Sequence, residues 1–425
     1  ISAAAVLIAT EFFHSLGGFD EVYAPAFYED TDLAFRIREA GKEVVYQPRS
    51  HVIHFGGASH GRDISSPLKR YQARNADIFL DRWRERLAEH LPSSSRLEKG
   101  ATRLCGRGAL VIDATMLTPD LDSGSLRMFN LLLVLRQLGF AVSLLPSDLE
   151  SRGRYADDLR QRGVQVICRP HIESIERFLE RAGNDFELCI ISRPDTAENC
   201  LDLVRLLCPR ALLLYDTVDL HFLRRERELR LMGVAPAPDS IRKQELHAAS
   251  AADAALTVSE FDREKLLAEI PGSSVHVISN IHRVYSHEIP FSDRNGILFI
   301  GSFQHSPNAD AVLWFIQDVL PTLHAWIPDL RFHIVGANPP DAIRDAACEY
   351  VIVEGFVEDV DEHFATRKLS IAPLRYGSGV KGKINQSMAH GLPCVATPVA
   401  VEGMDLDRES EILVAESALD FAEAV

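Results

Sequence analysis

Leu369-Ser-Ile-Ala-Pro-Leu-Arg-Tyr-Gly-Ser-Gly-Val-Lys-Gly-Lys-Ile-Asn-Gln386 runs from an apolar strand through a glycine-rich turn into a helix that starts near Lys381. Glycines at 377, 379 and 382 let backbone N–H groups come close to an anion, and the helix start adds the positive end of a dipole. Lys381 and Lys383 supply full charge. The segment therefore suits a diphosphate. Two nucleotide motifs share these letters. Gly377-x-x-x-x-Gly382-Lys383 follows a P-loop until Ile384, which stands where a Ser or Thr must hold Mg²⁺, so an NTPase reading fails. Gly377-x-Gly379-x-x-Gly382 also fits the dinucleotide fingerprint, with Glu402 about twenty residues on as a ribose ligand. That leaves an NAD-dependent oxidoreductase open. A tight strand–helix turn without a ligand fits the letters too. The dinucleotide fingerprint normally opens a nucleotide-binding unit, whereas here several strand–helix units precede the turn.

Working outward, the same rhythm of apolar strand, loop and helix fills the chain from Ala109 on. Strand runs start at Ala109, Val142, Leu188, Ala211, Ala255, Val275, Gly296, Phe332, Val351, Leu369 and Cys394, with helical patterns such as Leu126–Leu138 and Ala309–Leu323 between them. β-Branched runs alternating with helices mean parallel sheets covered on both faces. About eleven such strands exceed one comfortable sheet, so the expected class is α/β with two doubly wound domains. The polar stretch around His282–Asn295 is the natural seam. Ligands of such sheets sit beyond the carboxyl ends of the strands.

Composition bounds the rest. A net charge of −16, from 45 Lys and Arg against 61 Asp and Glu, argues against a general nucleic-acid binder. The seven cysteines are scattered, with no CxxC pair, and read as reduced core thiols of a cytoplasmic protein. No run reaches the roughly 18 apolar residues of a membrane span. Peripheral association with the inner face of a membrane stays open. The chain starts at Ile1 and stops inside an expected helix at Val425, which reads as a piece of a longer polypeptide.

Taken together, Gly296-Ile-Leu-Phe-Ile-Gly-Ser-Phe-Gln-His-Ser-Pro-Asn308, Pro328-Asp-Leu-Arg-Phe-His-Ile-Val-Gly336, Val353-Glu-Gly-Phe-Val-Glu-Asp-Val360, the glycine turn and Met388-Ala-His-Gly-Leu-Pro-Cys-Val-Ala-Thr397 resemble the nucleotide-sugar lobe of glycosyltransferase family 4. The resemblance covers about 109–425. It implies a GT-B fold, two Rossmann-like domains facing across a cleft, a nucleotide-diphosphate sugar as donor, no metal cofactor, and transfer with retention of configuration. Carried over by position, Gly301 and Ser302 lie near the diphosphate, and Gly355, Phe356 and Val357 at the nucleobase. Gly379, Val380 and Lys381 sit at the phosphates. The family often carries two glutamates seven residues apart, the later one on the ribose. Here those positions are Ser378 and Gln386, a departure that keeps a non-catalytic nucleotide-sugar-binding pair of lobes as a third reading.

In the first lobe, Pro119-Asp-Leu-Asp-Ser-Gly-Ser-Leu-Arg127 opens a helix. Ser123 or Ser125 can cap it, Gly124 admits a ligand, and Arg127 can meet a phosphate. Tyr215-Asp-Thr-Val-Asp-Leu-His221 follows a strand, placing Asp219 and His221 near its carboxyl end. The resemblance implies a histidine there on the donor sugar. Ala254-Ala-Leu-Thr-Val-Ser-Glu260 reads as structural.

At the N-terminus, Gly17-Gly-Phe-Asp-Glu21, Tyr28-Glu-Asp-Thr-Asp-Leu-Ala-Phe-Arg-Ile-Arg-Glu-Ala-Gly41 and Pro48-Arg-Ser-His-Val-Ile-His54 resemble the second half of a GT-A glycosyltransferase of family 2. Strands are expected at Glu43–Gln47 and His51–Phe55, and a helix at Asp32–Ala40. Glu29 or Asp30 would take the acceptor proton at the helix start, although an acidic helix cap fits as well. His54, or else His51, would face a divalent metal in a complete module. The family's donor half would precede Ile1, so this module is expected to be inert alone. The expected organisation is a partial GT-A module at 1–62, a helical linker at 63–107, an acceptor-side domain at 108–289 and a truncated donor domain at 290–425. Its expected partners are the donor and a glycan or lipid-linked acceptor in polysaccharide biosynthesis.

Overall fold

Strand residues of the larger part of the chain alternate between two cores, as side chains on a pleated sheet covered on both faces must. Leu110 and Ile112 enter one apolar cluster and Ala109 and Val111 the other. The computed structural model describes residues 5–45, 47, 50–53, 69–90, 107–236, 239–286, 289–408 and 410–425. It divides into two compact units, Ile1–Leu104 and Cys105–Val425.

In the larger unit, a seven-stranded sheet runs in the order β3-β2-β1-β4-β5-β6-β7. The strands are β1 (Arg107–Asp113), β2 (Phe140–Pro146), β3 (Gln165–Val166), β4 (Phe186–Ser192), β5 (Leu212–Asp216), β6 (Ala254–Thr257) and β7 (Val275–Val277). A six-stranded sheet follows in the order β10-β9-β8-β11-β12-β13. It comprises β8 (Ile297–Ile300), β9 (Phe332–Val335), β10 (Val351–Gly355), β11 (Leu369–Ala372), β12 (Cys394–Ala396) and β13 (Leu413–Val414). Every pairing between these strands is parallel. All eleven expected strands form. The two additional ones, β3 and β13, are two-residue edge strands, too short to leave a pattern. Both sheets order their strands outward from a central pair, so the loops that leave β1, β4, β5, β8 and β11 gather in the middle of each carboxyl edge.

The smaller unit is built on α1 (Glu29–Glu39) and α2 (Lys69–Arg82). Its core joins Tyr23, Phe79 and Trp83. At its centre lies the fully buried Asp32 carboxylate, which accepts hydrogen bonds from Trp83 Nε1 at 2.9 Å, Tyr23 Oη at 3.1 Å and Arg36 Nε at 2.7 Å. Asn75, also buried, donates to the carbonyls of Tyr23, Ala26 and Phe27. The helix expected in a linker at 63–107 is thus part of the core of this unit. The expected N-terminal strands are absent from the described residues 43–45 and 51–53. A strand needs a neighbour to satisfy its backbone, and the described residues of this unit contain none. Tyr46, His54 and most of the expected linker outside 69–90 lie outside the described residues.

Asp32→Asn removes the charge that the buried Tyr23 and Trp83 and the half-buried Arg36 converge on. Each charge-assisted bond contributes about 1.5–3 kcal/mol, so the smaller unit should lose about 2–3 kcal/mol in urea. Emission from Trp83, isolated by Trp314→Phe and Trp326→Phe, measures this. The unfolding of the larger unit should not move.

Candidate functional site

The carboxyl edges of the two sheets meet at a cleft of about 530 Å³ lined by both lobes of the larger unit. Of the residues expected there, Ser123, Gly124, Arg127, Asp219, Gly301, Ser302, Phe356, Val357, Val380, Lys381 and Gln386 line it. Gly355, Gly379 and His221 are not among the lining residues. Glu29 and Asp30 belong to the smaller unit.

The glycine turn leaves β11 and enters a short helix, Gly382–Ala389. Gly379 holds φ at 69°, and a Cβ there would come 2.8 Å from the Cβ of Asp219. A Cβ on Gly382 would come 2.4 Å from that of Ser123. These glycines let the turn press directly on the opposite lobe, a role the sequence alone does not reveal. Ser378, at the position of the family's first glutamate, donates its hydroxyl to Asp219 Oδ2 at 2.7 Å. A carboxylate therefore does stand beside residue 378, delivered from the other lobe.

Two ammonium groups serve the turn. Lys381 Nζ donates to the carbonyls of Ser378 (2.8 Å) and Gly379 (2.6 Å). Lys383 Nζ donates to Asn308 Oδ1 at 2.6 Å and lies 4.0 Å from the centre of the Phe299 ring. A Cβ on Gly301 would lie 2.9 Å from that same Nζ, which explains the bare backbone at the exit of β8. Burial pulls Lys381 down to about 8 and Lys383 down to about 7, so both titrate near neutrality.

In the first lobe Asp219 contacts Arg224 and Ser378 and lies 3.6 Å from His221 Nε2. Burial pushes its carboxyl up, but the charges of His221 and Arg224 and the Ser378 hydrogen bond outweigh that. They hold it well below the usual carboxylate range. His221 sits between Asp219 and the fully buried Glu245, whose Oε1 is 3.5 Å from Nδ1. Burial pulls the imidazole down, and these two carboxylates more than offset it, leaving it above its ordinary value. Glu245 also accepts the backbone N–H groups of His221 and Phe222, capping the helix His221–Leu231 from a distant segment. His221 thus backs Asp219 rather than lining the cleft.

Two further expectations are corrected. Asp122, not Ser123 or Ser125, caps the helix Ser123–Gln137, by accepting from the Ser125 N–H at 2.8 Å. Arg127 is buried: Nη1 meets Asp216 at 2.9 Å, and Nε and Nη2 meet the Ile278 carbonyl at 3.0 and 2.9 Å. Its guanidinium joins β5 to the end of β7, with all three nitrogens engaged inside the first lobe. Glu402, the ribose ligand a dinucleotide site would require, is paired with Arg227 at 2.7 Å.

The cleft also holds groups the sequence did not single out. Arg193 follows β4, donates through Nε to buried Asp113 at 3.0 Å, and lines the cleft. Arg224, His305, Asn308, Tyr376 and Glu358 line it as well. The strand-end rule would have found Arg193, since it immediately follows Ser192. His305 and Asn308 lie inside a quoted block, where no charge or glycine pattern marks them.

Residues 294–425 match the family model described as glycosyl transferases group 1. Sucrose-phosphate synthase from Thermosynechococcus elongatus superposes with a TM-score of 0.55 at 14% identity, over 75% of this chain and 88% of that one. HepE from Anabaena, solved with UDP and glucose, does so at 0.55 and 12%, over 74% and 88%. The fold is GT-B. Among curated sequences, an N-acetylglucosaminyl-diphospho-decaprenol L-rhamnosyltransferase from Mycobacterium tuberculosis is 35% identical over 101 residues, which is 23% of this chain. The chain spans about a third of that relative's length, 33%. In GT-B terms, the group 1 match falls on the second lobe, where the glycine turn and both lysines lie.

Arg127→Ala would leave Asp216 buried without its partner, a loss of about 3–5 kcal/mol for a buried pair. The larger unit should lose that stability in urea. At low temperature, where it stays folded, nucleotide affinity should hold, because Arg127 faces Asp216 and Ile278.

Proposed function

We propose that residues 108–425 form a glycosyltransferase of the family 4 type, moving a sugar from a nucleotide-diphosphate sugar to a glycan or lipid-linked acceptor. The supporting observation is the turn Gly377–Gly382, with Lys381 and Lys383, set against the Asp219 carboxylate of the opposite lobe. HepE, a structural neighbour with the same fold, was solved with UDP and glucose. In this reading Phe356 and Val357 take the nucleobase and Gln386 a ribose hydroxyl. Gly301, Ser302, Val380 and the lysines surround the diphosphate. The residues 108–289 serve the acceptor and 290–425 the donor.

Departure of the nucleoside diphosphate builds negative charge, and fixed cations and amides aimed at that charge lower the barrier. Lys381 and Lys383 supply this without a metal ion. Asp219 loses its proton far below neutral pH, which makes it a poor proton shuttle at pH 7. We assign it a standing hydrogen-bond acceptor role toward a sugar hydroxyl, with His221 holding it from behind. Transfer with retention belongs to the same reading.

The smaller unit we read as the acceptor half of a family 2 module. Its helix α1 presents Glu29 after two residues in the left-handed region, Phe27 at φ 78° and Tyr28 at φ 75°. Backbone strain of this kind costs of order 1–3 kcal/mol and collects at functional sites. Glu29 Oε2 is buried without a hydrogen-bond partner, and Asp30 accepts from the Thr31 N–H at 2.7 Å. Glu29 is therefore the better candidate base. A role in building a lipid-linked polysaccharide accords with the rhamnosyltransferase relative. Among the described residues no helix is long and apolar enough to cross a membrane, so we place any membrane contact at the surface, on the cytoplasmic side.

Calorimetry should show binding of at least one of UDP, GDP and dTDP, with NAD much weaker. Binding and turnover should survive EDTA; a requirement for added Mn²⁺ or Mg²⁺ would defeat the assignment. Lys381→Ala should cost about 1.5–3 kcal/mol of that affinity.

The same titration carries a pH signature. Below about 7 both ammonium groups are charged, and above about 8 both are largely neutral. A bound diphosphate favours the charged forms, so affinity should fall as pH rises through 7 to 8, with protons taken up on binding at pH 8. Lys383→Met should remove most of that uptake, read from the buffer dependence of the binding heat.

A further inference from the structure

Three successive carbonyls of the glycine turn are held by cations. Lys381 Nζ takes those of Ser378 and Gly379. Arg227, on the helix His221–Leu231 of the first lobe, donates Nη1 to the Gly377 carbonyl at 2.6 Å. The same guanidinium donates Nη2 to Glu402 Oε1 at 2.9 Å, and its Nη1 lies 2.7 Å from Oε2. Arg227 is mostly buried, 18% exposed, with its charge 5.8 Å from the Phe261 ring centre. Its fork therefore spans two segments of the opposite lobe at once, which a lysine's single ammonium cannot reproduce.

The consequence lies across each peptide plane. In a trans peptide the N–H points opposite to the carbonyl. Holding the carbonyls of 377, 378 and 379 on cations fixes the amides of Ser378, Gly379 and Val380 in the other direction. No acceptor among the described residues takes any of these three amides. Successive free N–H groups around a left-handed residue form a concave anion receptor, and Gly379 supplies that residue at φ 69°. Gly377 stands at φ 148°, a region only glycine enters easily, so its own preferences do not fix the direction of its carbonyl. Arg227 does.

We propose that Arg227 is a positioning residue that completes the diphosphate receptor of the second lobe from the first. Docking of the lobes fixes the Gly377 carbonyl and with it the Ser378 amide, while Lys381 holds the other two carbonyls from within the turn, so closure and nucleoside-diphosphate binding stabilise one another. This rests on the nucleotide-sugar reading above and adds the group that couples the lobes.

The test compares Arg227→Lys, Arg227→Ala and Glu402→Gln by calorimetry with UDP, GDP and dTDP, with circular dichroism and melting as controls. For the diphosphate that binds the parent, Arg227→Ala should lose about tenfold or more, the scale of one charge-assisted hydrogen bond. Arg227→Lys should recover part of it. Glu402→Gln, which leaves the Gly377 bond in place, should lose about threefold or less. In the parent, that diphosphate should slow hydrogen exchange at the amides of 378–380, and in Arg227→Ala much less. If Arg227→Ala does not fold, Arg227→Lys carries the comparison. Unchanged affinity in a folded Arg227 variant overturns the proposal, and so do equal losses in Arg227→Ala and Glu402→Gln, which would assign the effect to the ion pair. A parent that binds none of the three nucleotides overturns the underlying reading instead.

Discussion

The larger unit depends on one close approach, the glycine turn pressed against the first lobe. At Gly382 and Gly379 there is no room for a Cβ beside Ser123 and Asp219. That contact brings Asp219, Ser378 and Lys381 into one partly dry cluster, where charges act on each other far more strongly than in water. The depressed lysines reflect that burial, and the Ser378 hydrogen bond adds to the charges of His221 and Arg224 that keep Asp219 strongly acidic. A larger residue at either glycine would separate the lobes and return those groups to solvent.

The family's pattern and this chain differ at Ser378, and the geometry gives that difference a physical sense. A glutamate at 378 would set a second carboxylate against Asp219 in a cramped, half-dry space, where like charges repel strongly. A serine donates to Asp219 instead. Gln386 lines the cleft as a neutral group, suited to a hydroxyl and adding no further negative charge near the lysines.

What was legible in the sequence follows from how local the cause is. The runs beginning at Ala109, Leu188 and Gly296 became strands because β-branched and apolar residues in series have few other uses, and their alternation with helices yielded two parallel sheets. The edge pairs Gln165–Val166 and Leu413–Val414 are too short for a period. Glu43–Val45 had the right letters, and the described residues of the smaller unit offer no strand to pair with. The turn at 377–382 was read as an anion loop, and its lysines do converge on the cleft. The surroundings of Arg127 and His221 are not legible in the sequence because their partners, Asp216 with Ile278 and Glu245, are distant in it. Arg227 is unmarked for the same reason, whereas the place of Arg193 after β4 is the one local sign it carries. A lone arginine on a polar helix or after a strand carries no mark of what it will hold.

The two faces of the cleft also differ in backbone character. On the first lobe, Arg193 and Val218 occupy the left-handed region at φ 75° and 63°, beyond the ends of β4 and β5. For a β-branched residue such as Val218 that conformation is unusual and costly. It persists because its surroundings over-determine it. The Thr217 N–H and hydroxyl both donate to the Leu256 carbonyl, the Arg193 N–H donates to that of Asp216, and Arg193 Nε is held by Asp113. The second lobe meets this template with glycines, whose backbone has little preference of its own. A strained, heavily hydrogen-bonded face thus meets a turn of permissive glycines. The position of Asp219 is therefore set within the first lobe, the amides of Gly379 and Val380 within the second by Lys381, and that of Ser378 across the cleft by Arg227.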